Sequence, residues 1–514
     1  MRPTQFLKKK VKMNKKFYVT TPIYYPNDKL HIGHAYTTTL ADYINRFKKL
    51  DGYETYFVTG SDEHGQKIED RANEAGKEPL EFVTEIIEGF KNLWVELGIE
   101  YDHFIRTTDE THKEFCKNKF TELLNNDFIY KGEYSGLYCK PDESFFTETQ
   151  LVDGKCPECG REVTEIKEES YFLKISEFQN FIEEKLKKGN ILFPESRVNE
   201  LINNFVNDLQ DLSITRTSFD WGIQINEDQK HILYVWLDAL LNYVSTFEYG
   251  LKDGWTADSV WGKDSEVEIL QLVGKEITRF HSIYWPIMLE MIGYREPKVL
   301  AHGWIVSDQG DKMSKSKGNV VDPIELIKKY GKDSLRFYLI NNIETGKDGK
   351  FSEELLIENI NGIIVNKFSN LVSRTSAMNK KYFDGIVPKA SNQTEVENKL
   401  WKTINKLVDE YKEQVNKYEF SDSLKTAIRI VEELNGYIDI TEPWKITVEE
   451  GLDTVINTLI KGIYVSTAVL SPALVESSKK ISDWLQKDLK LDFENLDFDG
   501  IEIGEIEHLF ERIK

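Results

Sequence analysis

Phe17-Tyr18-Val19-Thr20-Thr21-Pro22-Ile23-Tyr24-Tyr25-Pro26-Asn27-Asp28-Lys29-Leu30-His31-Ile32-Gly33-His34 is the stretch on which the fold turns. Residues 17–21 read as a buried strand, Pro22, Pro26 and Asn27 mark a turn, and a helix begins at the histidine pair. The alternation continues outward. Residues 54–59 read as a second strand, ending in Gly60-Ser61-Asp62-Glu63-His64-Gly65. A long helical stretch then runs to about residue 97, followed by a strand near 103–106. Further on, 269–273 reads as strand, 278–291 as helix and 298–301 as strand. Such alternation predicts an α/β protein with a Rossmann-like, doubly wound parallel sheet, its ligands at the carboxyl ends of the strands.

The pattern breaks between about 121 and 224, where aromatic, short-strand material holds three of the four cysteines and reads as an insertion. Beyond about 350 the chain is helical throughout. Ile357, Ile360, Ile364, Phe368 and Leu371 are spaced three to four apart, as are Leu400, Ile404, Leu407, Tyr411 and Val415, and then Leu452, Val455, Ile456, Leu459 and Ile463. That is the mark of a helical bundle. The expected layout is a disordered extension over 1–13, the first half of the sheet domain over 14–120 and a connective insertion with a cysteine knuckle over 121–224. The second half follows over 225–320, then a linker over 321–364 and an all-α bundle over 365–514.

At 514 residues the chain is too long for one core. Hydrophobic residues make up 40% and no apolar run approaches the roughly 20 residues of a membrane helix, so a soluble protein without a membrane partner is expected. A net charge of −21 excludes a generally basic nucleic-acid binder but leaves room for a local RNA-gripping patch. Four cysteines form no disulfide framework, which points to the reducing cytoplasm. The first sixteen residues carry Arg2 and six lysines without an acid or a signal-peptide apolar stretch, and read as a solvated tail with Met13 as an alternative start.

Two short stretches carry chemistry. His31-Ile32-Gly33-His34 is answered about 280 residues later by Lys312-Met313-Ser314-Lys315-Ser316. A nucleotide triphosphate needs donors on both sides while its α-phosphorus is attacked. Two histidines on a first helical turn, with a glycine letting an adenine ring approach the backbone, supply one side. A lysine-rich loop supplies the other. Separately, Cys156-Pro157-Glu158-Cys159 has the spacing of a zinc knuckle, with Cys139-Lys140-Pro141-Asp142 upstream. Carboxylate oxygen binds zinc at about 2.0–2.2 Å, so Cys139, Asp142, Cys156 and Cys159 make a possible closed, structural Zn²⁺ site. A decaying, metal-free knuckle is the alternative. Cys116 reads as buried filler.

Together with Thr20 to Tyr25, Gly60 to Gly65, Tyr234-Val235-Trp236-Leu237-Asp238-Ala239, and Gly274-Lys275-Glu276-Ile277 running into Phe280-His281-Ser282, these stretches resemble the class I aminoacyl-tRNA synthetases. The resemblance is to the methionine-specific branch and runs from residue 17 to about 470. It implies activation of methionine with ATP to methionyl-adenylate, then transfer to the terminal adenosine of tRNA(Met), initiator and elongator. By the same likeness His31, His34 and Lys315 are catalytic, holding charge on the ATP phosphates. Gly33, Lys312, Gly274 and Glu276 also contact the nucleotide, the last two at its ribose. Mg²⁺ on the triphosphate is implied by the chemistry.

The implied methionine pocket has Pro22, Ile23, Tyr25, Trp236, Leu240, Tyr243 and Ile277 as walls, Asp62 for the ammonium and His281 at the far end. Aromatic walls suit a thioether, at about 0.3–1.5 kcal/mol per sulfur–ring contact. Phe280 has equal claims as pocket wall and as plain core. Asn370 and Arg374, one helical turn apart, and Trp444, after a Pro443 that would begin a helix, are implied to read the CAU anticodon. In that family an aspartate at position 142 stands where many members have a cysteine. The chain has no room for the extra C-terminal dimerising domain of longer members, which implies a monomer.

Three rivals are weighed. Isoleucine, valine and leucine ligases carry larger editing insertions, because one methylene gives only about 1–3 kcal/mol of discrimination. A small-molecule nucleotidyltransferase would not need the bundle. An idle RNA-binding scaffold would not need His31, His34 and Lys315.

Overall fold

The structure, a computed structural model, describes residues 15–139, 144–146, 148, 151–157, 159–307, 310, 321–506 and 509–513. Lys312, Lys315, Asp142 and the extension over 1–13 lie outside the described residues.

A six-stranded sheet organises the N-terminal half. Its order is His103–Arg106, Glu54–Ser61, Lys16–Tyr24, Glu268–Gly274, Lys298–His302, Leu192–Phe193, and every pairing is parallel. The first strand thus lies at the point where the order reverses, where a crevice opens beyond the carboxyl ends. That strand runs past Pro22 to Tyr24 rather than turning there. Pro22 has no N–H for the ladder, and the register shifts between Thr20 and Ile23.

Side chains alternate across the sheet with period two. Phe17, Val19, Phe57, Leu270, Leu272 and Leu300 point to one core, while Tyr18, Tyr56, Val58, Ile269 and Val299 point to the other. The first core continues without a break into the C-terminal bundle. Helix Ile32–Leu50 bridges the two: Tyr43 meets Phe420 and Phe47 meets Tyr411, with ring centroids 5.5 and 5.8 Å apart. The bundle's apolar stripes are buried as their spacing requires. Ile404, Leu407, Tyr411, Val415, Leu452, Val455, Ile456, Leu459 and Ile463 are all inside.

The segment 121–224 is not wholly separate from the sheet. It opens with an antiparallel hairpin, Ile129–Cys139 against Thr164–Leu173, but then sends Leu192–Phe193 back to the sheet's edge. Two further differences have local causes. The helical stretch after residue 65 breaks into Gln66–Glu74 and Pro79–Leu97, because Gly76 takes a left-handed conformation and Pro79 starts the second helix. The helix expected over 278–291 is present, but a 3-10 turn Lys275–Ile277 precedes it and a π-turn Phe280–Tyr284 interrupts it before Trp285–Met291. Single π-turns are common where side chains must be re-aimed at a site.

Candidate active site

The first turn of helix Ile32–Leu50 sits beyond the carboxyl end of the central strand. His31 is its N-cap: its Nδ1 accepts from Gly33 N at 3.0 Å, and His34 Nδ1 accepts from His31 N at 3.0 Å. The two imidazoles therefore satisfy orphan backbone donors, and their rings lie 4.0 Å apart. With each Nδ1 accepting, the neutral ring carries its proton on Nε2, away from the backbone. A positive helix end that also presents two N–H groups suits a phosphate. Gly33 has a second reason to lack a side chain: a Cβ there would stand 2.9 Å from His31 Cε1.

At the neighbouring strand's carboxyl end, Gly274 ends the strand and Glu276 follows. A Cβ on Gly274 would lie 2.6 Å from both carboxylate oxygens of Glu276, so the missing side chain lets that carboxylate fold back. Trp304 Nε1 donates to Glu276 at 2.7 Å, and the Lys275 ammonium lies 3.9 Å from the Trp304 ring centre. His302, buried at the end of the neighbouring strand, donates from Nδ1 to Gly303 O at 2.8 Å. Its Nε2 lies 2.7 Å from the Thr37 hydroxyl, one turn beyond Gly33. Burial lowers its pKa. His302 and Trp304 escaped the sequence reading, although their place at a strand's carboxyl end was a usable signal.

Tyr24 joins this half to the next. Its ring meets His34 edge-on at 5.3 Å and its carbonyl accepts from Asp62 N at 3.0 Å. Trp236, Leu240 and Tyr243 share one face of helix Val235–Ser245. Trp236 stacks on Phe280 at 3.5 Å and 6°, and Phe280 is 6% exposed, so this ring is both core and wall. Tyr243 donates its hydroxyl to His281 Nε2 at 2.8 Å, while His281 Nδ1 donates to Ile277 O at 3.0 Å. Burial pulls the His281 imidazole down to about 4, so it is neutral at physiological pH. Burial pushes the Tyr243 phenol well up, and the charges of Tyr24 and Asp62 add to this. Pro22, Ile23, Tyr25 and Ile277 are half-buried; Ile23 and Ile277 pack with Trp236 against the core that holds Tyr243, whereas Tyr25 packs against Ile68, Val83 and Ile87.

Away from this crevice, Cys139, Cys156 and Cys159 converge at the tip of the hairpin, and none is in a disulfide. Their sulfurs lie within 4.8 Å of one another, Cys139 and Cys159 at 3.5 Å. Thiolates on a tetrahedral zinc with bonds of about 2.3 Å stand about 3.8 Å apart, so three corners fit the metal. In the bundle, the Arg374 guanidinium lies 5.9 Å from the Trp444 ring centre. Pro443 and Trp444 occupy a turn, not a helix start, and Trp444 is 48% exposed rather than a core anchor. Asn370, one turn before Arg374 on helix Asn370–Phe383, is also exposed.

Comparison with known proteins follows the same lines. A family model described as tRNA synthetases class I (M) matches residues 17–166 and 161–376. The methionine–tRNA ligase of Caldanaerobacter subterraneus subsp. tengcongensis is 45% identical over 513 residues, covering 98% of this chain and 79% of the relative. That of Mycoplasmopsis pulmonis is 42% identical, covering 98% and 100%. The structure of Mycobacterium tuberculosis methionyl-tRNA synthetase in complex with methionyl-adenylate superimposes with a TM-score of 0.90 at 33% identity, covering 97% of this chain and all of that one.

Proposed function

Since this chain belongs to the class I tRNA synthetases of the methionine type, we propose a division of labour among its residues for ligating methionine to tRNA. The reaction has two steps. The methionine carboxylate attacks the α-phosphorus of ATP, giving methionyl-adenylate and pyrophosphate, and a ribose hydroxyl of the terminal adenosine of tRNA then takes the acyl group, with AMP leaving.

His31 and His34 donate from Nε2 to the phosphates at the helix N-terminus, where charge grows as the pentavalent centre forms. Lys315, with Lys312, supplies positive charge to the same phosphates. Glu276 accepts from the ribose hydroxyls, and Gly274 leaves room for it to do so. Asp62 takes the methionine ammonium by a charge-assisted bond. Trp236, Tyr243, Tyr25 and Phe280 surround the thioether, with Pro22, Ile23, Leu240 and Ile277 filling between them. His281, neutral, closes the far end without repelling the ammonium. Mg²⁺ would be held by the triphosphate and spread its charge. Zinc would be held by Cys139, Cys156 and Cys159 with Asp142 as fourth ligand, and would stiffen the hairpin tip. Asn370, Arg374 and Trp444 form an exposed stacking and hydrogen-bonding platform for anticodon bases of initiator and elongator tRNA alike. We read the chain as a monomer: among the described residues the exposed large apolar side chains are few, and Val396 and Ile440 share one groove of the bundle. No described helix is long and apolar enough to cross a membrane.

One observation carries this reading: the capped histidine turn and the Asp62 loop meet at Tyr24, at the sheet's switch point, and the same loop reaches the helix of Trp236 and Tyr243 through His64. Lys315→Ala tests it. Methionine-dependent pyrophosphate exchange should fall by about a hundredfold or more while methionine binding, read by calorimetry, survives. Unchanged exchange would remove Lys315 from the reaction.

A further inference from the structure

Asp238 lies in the first turn of helix Val235–Ser245, fully buried, and was given no role above. Its Oδ2 stands 2.6 Å from His64 Nδ1 and its Oδ1 2.7 Å from His112 Nε2. His112 Nδ1 is in turn 2.7 Å from the Ser245 hydroxyl. All three titratable groups are buried. The carboxylate accepts both contacts, so His64 donates from Nδ1 and His112 from Nε2. Burial would raise the Asp238 pKa, but His64 and His112 hold it down to about 2, so the carboxylate stays ionised.

Cys116 Sγ is 3.3 Å from His112 Nε2, and His112, Cys116 and Asp238 together could be taken for metal ligands. The distances argue for protons instead. Nitrogen and oxygen on one tetrahedral zinc stand about 3.3 Å apart, whereas His112 and Asp238 are at hydrogen-bond distance. Burial, and then Asp238, also pushes the Cys116 thiol well up.

What the carboxylate joins gives it meaning. His64 belongs to the loop that follows strand Glu54–Ser61 and carries Asp62. The same loop is fixed on its other side by Glu63, which takes a two-pronged contact from Arg106 at 2.8 and 2.8 Å. Trp221 closes over it, donating to Glu63 O at 2.6 Å. Asp238 itself sits two residues from Trp236 and five from Tyr243. We propose that Asp238 is a positioning residue for methionine: through His64 it ties the loop that bears Asp62 to the helix that bears Trp236 and Tyr243, and His112 braces it from behind. This rests on the reading of Asp62 as the ammonium acceptor.

The test measures methionine KM in pyrophosphate exchange, together with the inhibition constant of 4-(methylthio)butanoate, which keeps the thioether and lacks the ammonium. In Asp238→Asn, methionine KM should rise by about tenfold or more, with ATP KM and the constant for the des-amino analogue changed less than about twofold. His64→Ala should behave like Asp238→Asn. His64→Asn, whose amide nitrogen falls near the lost Nδ1, should restore most of the difference. If the analogue and methionine lose affinity together, or neither changes, the tie is packing alone and the proposal falls. The two His64 variants decide the question even if Asp238→Asn does not fold. Asp62→Asn separates the premise: unchanged methionine KM there would overturn the role of Asp62 rather than that of the tie.

Discussion

His31 and His34 cap their helix through Nδ1, and the phosphate donation proposed for them uses Nε2, so one geometry serves both. Structural and chemical readings of such residues need not compete. His281 gives a sharper case. Its pKa is lowered by burial from 6.5 to about 4. Above about pH 6.5 neither the folded nor the unfolded state binds this proton. Between 6.5 and 4 the unfolded state binds it and the folded state does not, so stability falls as pH is lowered through that window, by up to about 1.4 kcal/mol per pH unit. Urea midpoints taken from pH 7 to pH 4.5 should drop less steeply for His281→Gln than for the parent. Equal slopes would mean that the ring is not buried neutral. The histidine turn was readable in the sequence because the chemistry demands those residue types at a helix start. The partners of Asp238 were not, since His64 and His112 lie 174 and 126 residues away and only the sheet topology brings them together.

Elements with a strong period were readable, and those shaped by a local exception were not. The strand–helix alternation and the bundle stripes follow from apolar spacing, and the parallel sheet and buried helices agree with them. The π-turn at Phe280–Tyr284 leaves no mark in that spacing, yet it sets Phe280 against Trp236 and His281 toward Tyr243. Pro443 misled for a related reason: a proline before a tryptophan fits a turn as well as a helix start. The hairpin tip carries its own prediction. Cys156→Ser should reduce bound zinc, read by metal analysis, and speed amide exchange in residues 136–165. Pyrophosphate exchange should stay within about threefold of the parent, because no reacting group lies on that element. Full zinc content in the variant would exclude Cys156 as a ligand.

At the scale of the molecule, one buried ion pair joins the site to the bundle. Arg336 donates to Asp42 at 2.6 Å and also to the carbonyls of Pro472, Ala473 and Leu97, with Arg336 and Asp42 both fully buried. Burial alone would raise the Asp42 pKa, but Arg46 and Arg336 hold it below the usual range. Breaking such a pair from one side typically costs about 3–5 kcal/mol. Asp42 lies on the helix that begins at His31, so the histidine turn is anchored through its own helix to the end of helix Leu452–Leu470, one wall of the domain that presents Trp444. This continuity, like the single core it crosses, comes from packing between segments hundreds of residues apart and could not be read from any one of them. The central claim is that the crevice around Tyr24 activates one amino acid with ATP. Pyrophosphate exchange measured with each of the twenty amino acids tests it most directly. Methionine alone should support exchange, and exchange driven by a different amino acid, or by none, would contradict the account.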